Sequence, residues 1–156
     1  RQWNSTLRPL HSNRNSLLQP KSIVLRTFLF NFWCQEATHH HWINSGEYIE
    51  ATDDRVKRII DSWRGVRPVL HYSVSREDCL IDHPGHIRPD LPSLLEQGYK
   101  KQKLRAHSEF YWNTAVNEWA LTFRDNFDIM CESKAKNLSS FALHEQGLKQ
   151  QALLSA

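Results

Sequence analysis

Apolar positions fall into separate groups along the chain, and the spacing inside each group predicts its element. Residues 1–22 are rich in Ser, Asn, Arg and Gln, carry Pro9 and Pro20, and show neither helical nor strand periodicity. Ile23–Cys34 is β-branched and aromatic, which predicts a buried strand delivering the chain to His39. Thr52, Asp53 and Asp54 mark a helix start. Val56, Ile59, Ile60 and Trp63 follow at helical spacing, and Gly65 stands where a C-terminal cap belongs. Val66–Tyr72 reads as the next buried strand and brings His71 to its end.

Residues 74–106 form a long charged insertion punctuated by Pro84, Pro89 and Pro92, the kind of loop that is functional or mobile. Trp112, Ala115, Val116, Trp119, Ala120 and Phe123 then predict an amphipathic helix. Phe127–Cys131 predicts a short strand with Glu132 just past its end. A last helix is expected over about 135–143, with Leu138, Phe141 and Ala142 as its apolar face. Strands and helices alternating in this way predict an α/β fold of about three parallel βα units. A complete eight-stranded barrel takes about 250 residues, so the expectation is the C-terminal portion of a TIM-type (β/α)8 barrel, incomplete in this chain. No internal repeat or heptad interrupts that reading.

Composition changes the picture little. An apolar fraction of 40% and a mean hydropathy of -0.61 fit a globular protein. The most apolar stretch, Ile23–Cys34, is interrupted by Arg26 and Asn31 and is too short to cross a bilayer. The first twenty residues lack the apolar region of a signal peptide. Cys34, Cys79 and Cys131 are odd in number and widely spaced, which points to reduced thiols and a cytoplasmic setting. Net charge is +3 and the pI is near 8.9, which permits an anionic partner without demanding one. Because the chain opens on Arg1 and its one methionine is Met130, it is expected to be a fragment or a processed form.

The candidate chemistry lies in four strings: His39-His40-His41-Trp42, His71-Tyr72-Ser73, Ala106-His107-Ser108-Glu109, and Cys131-Glu132-Ser133-Lys134-Ala135-Lys136. Imidazoles and carboxylates bind borderline divalent metals, and ligands at successive strand ends build an active site at one barrel rim. Each string also has a plainer reading. The triplet, expected in an extended segment, turns either His40 or the pair His39 and His41 to one side, but it could be a surface run. His71 could be a satisfied core histidine and His107 a loop residue or part of a helix start. Glu132 is costly to bury unless it is paired or metal-bound, and Lys134 or Lys136 could pair with it. Their ordered recurrence favours a metal site. In the insertion, Tyr99, Lys100, Lys101, Lys103 and Arg105 join cations to an aromatic ring and could contact nucleic-acid phosphates; a solvated charged loop is the plainer reading. His83 and His86 are expected to be exposed, and Asp53, Asp54 and Arg55 to serve the helix start.

Taken in order, HHHW, RVKRIIDSWRGVRPVLHYS, AHSE and FDIMCESKAKNL resemble the C-terminal half of the UV-damage endonuclease family over about residues 36–145. That divides the chain into an unmatched 1–35, a partial barrel over 36–145 and a tail over 146–156. The resemblance implies a metal-dependent TIM-barrel DNA repair enzyme that nicks double-stranded DNA 5′ to ultraviolet photoproducts, using divalent ions, commonly manganese. By position it implies His40, His71, His107 and Glu132 as metal ligands, with Lys134 beside them at the phosphate. No membrane and no protein partner are implied. The chain departs from the family pattern at Ala37, where an aspartate is usual, at Val69, where some members carry a modified lysine, and at Glu109, where aspartate is usual. The family's first barrel strands and their ligands have no counterpart here. Competing readings are a noncatalytic metal- or DNA-binding fragment and another metal-using barrel enzyme, such as an abasic-site endonuclease or a sugar isomerase.

Overall fold

The computed structural model describes residues 39–155, apart from the side chain of Leu154. The strand expected over Ile23–Cys34, together with Ala37, lies outside the described residues. The elements run α1 (His39–Ser45), α2 (Asp54–Ser62), β1 (Val69–Tyr72), a 3-10 turn (Glu77–Cys79), α3 (Leu91–Glu96), α4 (Lys101–Leu104), α5 (Thr114–Leu121), β2 (Asp128–Cys131) and α6 (Asn137–Leu154). Among these residues the fold is mixed helix and strand, with one two-stranded parallel sheet. No described helix is long and apolar enough to cross a membrane.

Helix α2 forms where its caps place it. The Asp53 carboxylate accepts the Arg55 amide at 2.7 Å, satisfying one of the free donors of the first turn. Past its end, Gly65 takes a φ of +84°, a conformation that costs glycine little. The strand after it begins at Val69, not at Val66. Pro68 has no amide to give to a ladder, and Val66 is 63% exposed. Strand β1 then pairs with β2 in register Val69 to Asp128, Leu70 to Ile129, His71 to Met130 and Tyr72 to Cys131. The parallel pairing matches the alternation of elements in the sequence.

Two apolar clusters hold these elements. In the larger, Val56 of α2, Leu70 and Tyr72 of β1, and Val116, Trp119 and Ala120 of α5 meet Phe123, Phe127 and Leu143. Two large polar side chains buried there find partners. Tyr72 Oη donates to Asn117 Oδ1 at 2.5 Å, and Trp119 Nε1 donates to the Ile49 carbonyl at 2.8 Å. The smaller cluster joins Trp42 and Ile43 of α1 to Leu80, Leu91, Leu94 and Leu104. It corrects the reading of residues 74–106 as a long loop: the segment carries short helices and buries four leucines against α1.

Two further expectations are corrected. The histidine triplet is helical, not extended, so burial follows the helical spacing His39, Trp42 and Ile43. In α6 the buried positions are Ser139, Leu143 and Gly147, four residues apart, while Leu138 and Phe141 are 62% and 64% exposed and Ala142 is exposed too. Small residues govern that contact: a Cβ on Gly147 would sit 3.2 Å from Leu121 Cδ2. The helix also continues to Leu154, through most of the stretch expected as a tail.

Candidate metal centre

Backbone hydrogen bonds gather the segments that carry the candidate ligands. Beyond β1 the chain runs beside residues 106–108: the Arg76 amide donates to the Ala106 carbonyl at 3.1 Å, and the Ser108 amide donates to the Val74 carbonyl at 3.0 Å. Beyond β2, the Glu132 amide donates to the Tyr72 carbonyl at 2.8 Å, and the Lys134 and Ala135 amides donate to the carbonyls of Ser108 and Glu109, each at 3.1 Å. The HYS, AHSE and CESKAK strings therefore meet at the C-terminal end of the parallel pair. Parallel strands side by side bring their ends to the same edge, and the isolated bridge between Ser75 and His107 fixes the third segment there.

His71 lies within β1, between Leu70 and Tyr72, whose side chains enter the larger cluster. Alternation turns His71 to the other face. There its Nδ1 lies 2.6 Å from Glu132 Oε1, with both side chains about one third exposed. A carboxylate accepts only, so Nδ1 carries the proton, and in the neutral ring Nε2 keeps the lone pair. This is the arrangement by which a carboxylate orients a metal-binding imidazole.

On the other side of the cluster, His107 approaches α1. Its ring centroid is 6.1 Å from that of His40 and 5.8 Å from that of His39. Burial lowers the His107 pKa, the Glu132 charge opposes that shift, and His40 and Lys134 add to it. These couplings put Glu132, His40 and Lys134 within electrostatic reach of His107. A neutral imidazole is the form that binds a metal. His39 is buried and its pKa falls to about 3, chiefly through burial, with the His107 and His40 charges adding and the nearby Leu104 carbonyl opposing. His41 leaves the cluster and faces Ser45 and Glu47.

His40 thus neighbours His107, and His71 bonds Glu132, while the Glu132 charge acts on His107 between the two pairs. The donor types fit a borderline divalent ion. They associate in pairs: among the described residues, no group of three or more His, Cys, Asp or Glu is gathered closely enough to hold an ion as it stands. Lys134 is exposed beside this edge.

The basic segment lies next to α1. Lys101 Nζ reaches the Asn44 carbonyl at 3.4 Å, and Arg105 donates to Asn44 Oδ1 at 3.0 Å, so both engage the C-terminal end of α1. Lys100 and Lys103 are exposed. Tyr99 packs against the smaller apolar cluster, a structural role its neighbours in sequence did not announce. His86 is exposed as expected; His83 is half-buried and meets Trp112 edge-on at 6.4 Å. Sequence reasoning missed Ser75, which follows β1 and whose Oγ lies 3.0 Å from His39 Nε2. In comparisons with known proteins, the chain matches no family model, no curated protein and no solved structure.

Proposed function

We propose that this chain is the C-terminal part of a metal-dependent DNA repair endonuclease of the UV-damage type, acting on photoproduct-bearing duplex in the cytoplasm. The observation supporting the reading is that two pairs, His40 with His107 and His71 with Glu132, are carried by segments that meet beside the C-terminal end of the parallel strand pair. In this reading His40, His71, His107 and Glu132 hold manganese, and Glu132 also orients His71 through its bond to Nδ1. Bound divalent ions supply an activated water and neutralise charge on the phosphate and leaving oxygen. Lys134 lies beside the ligands, where its ammonium can meet the scissile phosphate. Lys100 and Lys103 extend positive charge along the adjoining surface and would track the DNA backbone. The test is manganese-dependent nicking of ultraviolet-irradiated plasmid, with unirradiated and abasic plasmid as controls. Nicking confined to irradiated DNA supports the reading. Preference for abasic DNA points to the abasic-site enzyme, and metal binding without nicking to a noncatalytic module.

A further inference from the structure

Glu132 to Lys136 are the five residues that join β2 to α6, and the candidate ligand Glu132 is the first of them. Backbone bonds close a turn here: the Lys136 amide donates to the Ser133 carbonyl at 3.3 Å, and the Leu138 amide to the Ala135 carbonyl at 3.1 Å. The turn leaves Lys136 at a φ of 52° and a ψ of -120°. Those angles belong to the first central position of a type II′ turn, which glycine fills because a Cβ is crowded there. Among the described residues, Arg64 is the other non-glycine with a positive φ, and it follows the end of α2, where a left-handed residue is an ordinary helix stop. Lys136 instead opens a helix.

Strain of this kind persists only where the surroundings over-determine the conformation, and the Lys136 carbonyl shows how. Three donors meet it: Ser139 Oγ at 2.8 Å, Ser140 Oγ at 3.1 Å and the Ser140 amide at 3.2 Å. The two from Ser140 are the usual helical bonds to the residue four back. The Ser139 bond is different in kind. Ser139 is fully buried, and its Oγ also bonds Ser133 Oγ. Its one hydroxyl proton goes to the Lys136 carbonyl, so Ser133 is the donor in the second contact. One buried hydroxyl therefore ties both ends of the turn, the residue after Glu132 and the strained Lys136, to the first turn of α6. On the other side the same string is held by its amides, Glu132 on the Tyr72 carbonyl at 2.8 Å and Lys134 on the Ser108 carbonyl at 3.1 Å. Alanine would fit the Ser139 site, so the hydroxyl rather than the size serves the turn.

We propose that Ser139 is a positioning residue for the candidate metal centre. Its hydroxyl holds the Lys136 turn in a conformation that lysine by itself avoids, and so keeps the Glu132 carboxylate on His71 Nδ1, at 2.6 Å. Without the hydroxyl, Lys136 relaxes toward an allowed backbone region and re-aims the residues just before it, Glu132 among them. The role at a metal rests on the reading of this edge as a manganese site. The path from Ser139 through the turn to the bond between His71 and Glu132 does not.

The test uses the full chain, with nitrogen-15 spectra of the histidine rings recorded without metal and a separate manganese titration. The unmodified protein should show the His71 proton on Nδ1, at the low field of a bond to a carboxylate. Ser139→Ala should lose that signal and weaken manganese binding by about tenfold. Lys136→Gly should keep both, because glycine takes the same angles at little cost. Adding Lys136→Gly to Ser139→Ala should restore both, a rescue that a serine needed only for packing would not allow. If Ser139→Ala alone fails to fold, the double variant should fold and show the His71 signal. No Nδ1 proton on His71 in the unmodified protein, an unchanged signal in Ser139→Ala, or a double variant without the signal would overturn the proposal. The expected His71 pattern in a protein that binds no manganese would support the role of Ser139 in placing Glu132 and overturn the manganese reading instead.

Discussion

His71 Nδ1 and Glu132 Oε1 meet at 2.6 Å across 61 residues of sequence, joining the face of one parallel strand to the end of the other. The register makes this contact possible. His71 is paired with Met130, so Glu132 stands two residues beyond it, at the edge where β2 ends. The bond orients the imidazole and holds the carboxylate at the same edge as His107. Removing either partner loosens one end of the cluster while the larger apolar core, on the opposite face of β1, stays packed.

Glu132→Gln should therefore weaken manganese binding by about 10–100-fold, the usual cost of removing a carboxylate that orients a metal-binding histidine. Circular dichroism should be unchanged. Titration calorimetry of the two proteins gives the comparison, and equal affinities would remove Glu132 from the site.

Stability should fall as the medium is acidified through the histidine range. The unfolded chain protonates His39 near its ordinary 6.5, whereas the folded chain resists until about 3. Between those values the unfolded state binds more protons, so the folded state is at full strength above about pH 6.5 and weakens as pH falls, by at most about 1.4 kcal/mol per pH unit for this site. His107, also lowered, acts in the same direction. Urea midpoints measured from pH 7.5 down to about 5 test this, and His39→Gln should flatten the profile. An unmodified protein equally stable at both ends of that range would contradict the burial of a neutral His39.

Leu104→Ala should destabilise the fold by about 2–5 kcal/mol. Leu104 is fully buried among Trp42, Ile43 and its neighbouring leucines. Substitution in a mere surface loop would cost under about 0.5 kcal/mol, so chemical denaturation separates a packed insertion from a solvated one.

Double substitution of Lys100 and Lys103 by Ala should reduce the salt dependence of DNA binding. Every phosphate that a lysine no longer neutralises lowers the slope of log K against log salt by about 0.9, or about 2 for the pair. Fluorescence anisotropy over a salt series reads the slope. An unchanged slope would place the DNA path elsewhere on the surface.

Much of the local structure is legible in the chain itself. Asp53, the spacing of Val56, Ile59 and Ile60, and Gly65 specify α2 through cap chemistry and periodicity, which act over a few residues. The aromatic stripe ending in Phe123 specifies α5 in the same way, and the short apolar runs ending at Tyr72 and Cys131 specify two strands. The histidine strings were visible too, because imidazoles and a carboxylate recur at element ends. What depends on distant partners was not visible. Helix α1 is held by leucines from the 74–106 segment, and only that packing shows which edge of the histidine triplet is buried. In α6 the contact is made by Ser139, Leu143 and Gly147, because close approach to Leu121 rewards small side chains over large apolar ones. Polar satisfaction is decided later still. That Glu132 accepts from His71, and that Ser75 meets the buried His39, follows from the strand register and from loops meeting at one edge, and neither is encoded within any single stretch of sequence.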